Sequence, residues 1–71
     1  MDAQPAALPP DHRTVCIRLR EMCIQQIRLV RDLMHRATPE RGQFYRELIG
    51  SMTQTVRLIE KDAGLRAWEG A

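Results

Sequence analysis

The sequence predicts an all-α fold: a two-helix antiparallel hairpin that assembles into a homo-oligomeric helical bundle or ring. Three observations point there. Residues 12–37 contain no Gly or Pro and repeat apolar side chains at helical spacing. A Thr38-Pro39-Glu40 break follows, and a second apolar stripe of nearly equal length then runs to Ala63. Two long helices with so short a connection fold back on each other. One long rod kinked at Pro39 is the competing arrangement.

In chain order, residues 1–10 (MDAQPAALPP) have no periodicity and three prolines, the composition of a disordered Ala/Pro arm. Asp11 is a natural N-cap for a helix over about 12–37, because its carboxylate can accept an orphan first-turn N–H. In that helix Cys16, Cys23, Val30 and Ala37 form one heptad column. Leu19 and Leu33 form a second with Gln26 between them, and Val15, Met22 and Leu29 a third. At the break, Thr38 can cap, Pro39 has the φ wanted at the first helical position, and Glu40 complements the positive helix pole. The second helix, about 39–63, carries Tyr45, Ile49, Met52, Val56, Ile59 and Ala63 on one stripe, flanked by Phe44, Leu48 and Leu58. Gly64 is the expected left-handed terminator, with Leu65 placed to pack back. The hairpin thus spans 11–64 and a tail spans 65–71. Gly50, on the polar face, either bends the helix, admits a neighbouring backbone, or is neutral.

Size sharpens the expectation of assembly. A chain of 71 residues holds one small domain and buries only about 60% of its unfolded surface, so it calls for disulfides, metal or self-association. The second helix is cleanly two-faced, with Arg46, Thr53 and Glu60 in one of its polar columns, whereas the first has an apolar arc wider than one partner helix covers. Left bare, that arc would invite aggregation. The expected oligomer interface is therefore Val15, Ile17, Met22, Ile24, Gln26, Ile27 and Leu29. Gln26 either sets register as a lone buried amide or sits at the rim in water.

Chemistry is sparse. There is no Gly-rich phosphate loop, no GxSxG elbow and no HExxH, and His12 and His35 read as solvated, so no catalytic residue is expected. His12 and Cys16 stand at i, i+4 and could share an ion. Zinc usually draws four close-spaced ligands, however, and the cysteines read as core, so neither metal nor cofactor is expected. Cys16 and Cys23 are about 10 Å apart along one helix, too far to bond within it.

Net charge is +2, from 11 Lys+Arg against 9 Asp+Glu, which argues against a strongly basic nucleic-acid arm. The excess nevertheless sits on the first helix, where Arg13, Arg18, Arg20, Arg28 and Arg31 are the nucleic-acid candidates. These wind around the helix, and Arg18–Glu21 and Asp32–Arg36 can pair locally, so non-specific phosphate contact is the most they support. In the tail, Leu65 and Trp68 are the expected partner-docking anchor; the alternative is that Trp68 folds back over the hairpin's open end. No apolar run is long enough for a membrane span and no secretory signal is visible, so reduced thiols and a cytoplasmic location are expected.

The segment TPERGQFYRELIGSMTQTVRLIEKDAGLRAW, with the long helix before it, resembles the oligomerisation core of phage-type small terminase subunits over about residues 12–68. The resemblance rests on architecture, not on a diagnostic motif. It implies ring formation through hairpins and a terminal tail that engages the DNA-packaging motor. The sequence departs from that family's pattern in lacking the N-terminal helix-turn-helix, which leaves specific DNA-site recognition without a carrier.

The expected function is thus a non-enzymatic, self-assembling adaptor. Its partners are further copies of itself, a larger protein and, non-specifically, nucleic acid, with no membrane. Alternatives are a small dimeric DNA-binding regulator using the first helix's arginines, or an antitoxin- or inhibitor-like helix that fills a partner's groove.

Overall fold

The computed structural model describes residues 11–70. Helix α1 runs His12–His35 and helix α2 Pro39–Ala63; the arm expected over 1–10 lies outside the described residues. The two helices pack side by side as a closed antiparallel hairpin, so the kinked rod is excluded.

Local chemistry fixes each boundary. Asp11 is extended, and its Oδ1 accepts from the Thr14 N–H at 2.8 Å. That bond holds the Asp11 carboxyl below its ordinary pKa. Helix α1 stops two residues before the expected Ala37. Its last turn tightens as Arg36 N donates to Leu33 O (3.1 Å) and Ala37 N to Met34 O (3.2 Å). Thr38 must then be extended, because the Pro39 ring crowds a helical backbone before it. Helix α2 begins at Pro39 as expected, with the Thr38 side chain accepting from Arg41 N. It ends at Gly64, which adopts φ 63° and ψ 37°, while Leu65 N donates to Glu60 O at 2.8 Å. This is the left-handed stop that glycine makes cheap. Gly50 is exposed within an unbroken helix, with nothing near a would-be Cβ, so no close backbone approach requires it.

Ile27 and Val56 are completely buried at the centre of the core. Ile24 joins them, with Cys23, Ile49, Met52 and Trp68 partly buried around the three. Every residue of the expected α2 stripe, from Tyr45 to Ala63, is buried or half-buried.

On α1 the packing face differs from the expectation. Ile24 and Ile27, placed by the sequence on an outer interface, lie inside the hairpin. Leu19 and Leu33 are exposed, as is Gln26, which shares their column and belongs to the expected interface. The physical reason is Gln26. Turning that column inward would bury its amide among apolar side chains, at about 1–3 kcal/mol without a partner. The face centred on Ile27 has no such group at its middle. The Cys16, Cys23 and Val30 column does face inward.

Candidate functional site

The two broad sides of the hairpin differ, and helical geometry separates them. Ile24 and Glu60 are displaced one way from the centre line of their helices, toward the side the tail covers. Glu60, expected on a solvent column, is 4% exposed. Its Oε2 accepts from Arg20 Nη1 at 2.9 Å and from the Trp68 backbone N–H at 2.7 Å, and its Oε1 accepts from Arg57 Nη1 at 3.0 Å. Arg20 also donates to the Arg66 carbonyl at 2.6 Å. Burial alone would raise the Glu60 pKa; the Trp68 N–H and the Arg57 and Arg20 guanidinium groups outweigh it and hold the carboxyl below its ordinary value.

This cluster fastens the tail. Trp68 is half-buried against the Ile24–Ile27–Val56 core, and Leu65 is also half-buried. Leu65 and Trp68, the expected partner-docking anchor, are thus both engaged within the chain, which for Trp68 is the folded-back alternative. The physical cause is the buried carboxylate eight residues before Trp68, which needs donors and takes one from the tail backbone.

Among the described residues the opposite side is bare. Val15, Leu19, Met22, Gln26, Leu29 and Leu33 follow one another at spacings of four and three, forming a single α1 stripe about a third of a turn from Ile27. All six are exposed, Met22 at 62% and Leu29 at 54%. On α2, Phe44, Leu48 and Leu58 are displaced from Val56 in the same rotational sense and are also exposed. In an antiparallel pair, equal senses fall on one broad side. Of the expected interface, Val15, Met22, Gln26 and Leu29 lie on this side, whereas Ile17 stands apart on the far edge of α1.

The arginines do not act as one group. Arg13, Arg18 and Arg28 are exposed, Arg31 is half-buried, and Arg20 is committed to Glu60 and Arg66. Arg20 thus leaves the set of nucleic-acid candidates. Asp32 pairs with Arg36 at 2.9 Å as expected, while Arg18 and Glu21 are both exposed.

At the open end of the hairpin, His12 Nε2 contacts Asp62 Oδ2 directly, and Cys16 Sγ lies 3.5 Å from the same ring nitrogen. The three donor atoms all lie within 4.8 Å of one another, a grouping able to hold a metal ion. Sequence spacing alone offered His12 and Cys16. Asp62 is 50 positions from His12, and the signal that could have found it is hairpin symmetry, since the two residues are equidistant from Ala37 in the turn.

No family model, curated protein or solved structure matches the chain. Among the described residues, no helix is long and apolar enough to cross a membrane.

Proposed function

We propose that this chain is a non-enzymatic, self-assembling helical adaptor whose copies cover one another's bare side. In its most concrete form it is a phage-type DNA-packaging small subunit that engages a larger protein and the DNA backbone. One observation carries the self-assembly. Among the described residues nine large apolar side chains are exposed, against five buried in the core. Covering each bare Leu, Met or Phe contributes up to about 1.5–3 kcal/mol, more than a core this small can forgo. The four-and-three spacing of the α1 stripe is that of a helix seam, and Gln26 at its middle can pair with its counterpart across a symmetric contact.

Support for a non-enzymatic role comes from the His12 contacts. Cys16 and Asp62 both approach Nε2, whereas a nucleophile–base–orienter relay needs them on opposite ring nitrogens. The DNA-backbone contact rests on the exposed Arg13, Arg18 and Arg28 and on their multiplication in an assembly. A cytoplasmic, reducing setting fits the two free thiols. The packaging assignment rests on the architectural resemblance alone.

Light scattering over a concentration series tests the assembly. A stable oligomer is expected. A folded monomer persisting at high micromolar concentration overturns the proposal, and a dimer rather than a larger closed ring replaces the packaging form with the regulator. Binding to random duplex DNA should weaken steeply with salt; a flat response removes DNA from the function.

A further inference from the structure

We infer that His12, Cys16 and Asp62 form a three-ligand site for a divalent transition-metal ion of the zinc class. His12 and Cys16 are one turn apart on α1 and project to the same side, the spacing by which helices present paired ligands. Asp62 comes from the last turn of α2, so the hairpin itself assembles the trio. All three ligands come from one copy of the chain, and the site does not depend on self-assembly.

The sulfur–nitrogen spacing suits zinc. Zn–S bonds of about 2.3 Å and Zn–N bonds of about 2.0–2.1 Å, set at a tetrahedral angle, put sulfur and nitrogen about 3.5 Å apart. Cys16 Sγ and His12 Nε2 are 3.5 Å apart. A carboxylate oxygen completes a nitrogen, sulfur and oxygen donor set, which suits a borderline ion and not calcium or magnesium, whose ligands are all oxygen. Electrostatics agree. A thiolate and a carboxylate together balance a dication, with the imidazole neutral. On binding, the ion displaces the Cys16 thiol proton to solvent, forming the metal–sulfur bond.

The contacts to His12 point the same way. Its Nε2 carries either one proton or one lone pair, yet two side chains converge on it. A metal ion would serve all three donor atoms at once, with the Asp62 carboxylate drawn back from its direct contact with Nε2. The sulfur lies beneath, in a residue 5% exposed, while the His12 and Asp62 side chains are 71% and 62% exposed. The ion would therefore sit at the surface with its fourth position open to water, the three-ligand form seen in zinc sites that keep an exchangeable position.

The test is a titration of the reduced full chain with cobalt(II), followed by zinc(II). One ion per chain is expected, with an intense near-ultraviolet thiolate-to-cobalt band and the visible bands of tetrahedral cobalt; zinc should then abolish both. Cys16→Ser should remove the thiolate band and Cys23→Ser should keep it. His12→Gln and Asp62→Asn alter exposed side chains, so helical circular dichroism should hold. Affinity in each should fall by more than the roughly tenfold loss that even a ligand's outer partners cause. Absence of a thiolate band at stoichiometric cobalt overturns the inference. So does a band that follows Cys23, or an affinity untouched by Asp62→Asn.

Discussion

One broad side of the hairpin is closed by the chain's own tail, and the other is left apolar and open. The closed side is held by a buried carboxylate, two arginines and a tryptophan, an arrangement specific enough to choose a single conformation. The open side has Leu, Met, Val and Phe side chains with one amide in the middle of the α1 stripe, and nothing among the described residues covers it. Polar contacts thus define the internal side, and exposed apolar area defines the other, the side of the proposed self-contact. A second copy can supply area in a symmetric contact; the Glu60 carboxylate already has its donors within the chain.

The contrast can be broken first at Glu60. Glu60→Ala strands the Arg20 guanidinium and the Trp68 N–H, and should cost about 3–5 kcal/mol. A loss of that size is most or all of what a domain this small possesses. Urea denaturation measures it, and a loss below about 1 kcal/mol would mean the tail is not fastened there.

Acid acts on the same group without mutation. The Glu60 carboxyl is held below its ordinary value of 4.5. Its stabilising contribution is therefore complete above that value and is lost as pH falls through the lower folded-state value. Trp68 emission should shift toward that of a solvated indole over that acid range. Release of the tail near neutrality would contradict the assignment.

Trp68→Ala should cost less, about 2 kcal/mol, because the ring is only half-buried. The melting temperature should drop while subunit number is retained, since the ring lies on the side away from the proposed contact. A change in subunit number would join the two sides into one surface.

The smallest effect on the fold belongs to Met22→Asp, on the open side. Its cost to the isolated chain should be within about 0.5 kcal/mol, yet the assembly should dissociate in sedimentation or scattering. Ile24→Asp makes the useful contrast, because it places a charge in the core and should unfold the hairpin outright. An unchanged assembly in Met22→Asp would move the interface elsewhere.

Much of the fold was legible because its boundaries are written in local chemistry. Asp11, Thr38-Pro39 and Gly64 each act within a few residues, and the α2 stripe is unambiguous because a single arc is apolar. The choice of inner face on α1 was harder to read. Three adjacent columns are apolar, and what selects among them is the cost of burying Gln26 and the fit to α2, which no single helix reveals. Glu60 was missed for a related reason. Its column, with Arg46 and Thr53, reads as solvated until the tail arrives to cover it. The trio at the open end needed contact across the hairpin, since only His12 and Cys16 are neighbours along the chain.

Where the clasp sits has a kinetic consequence. Contacts beside the Arg36–Thr38 turn close short loops, and each step away from it closes a longer one at greater entropic cost. The Arg20–Glu60 pair and the tail are among the most distant closures, at the end where a zippered hairpin would otherwise fray. Amide protons at that end should consequently exchange more slowly than distance from the turn alone would dictate, and cutting the clasp should let opening begin there and spread toward the middle.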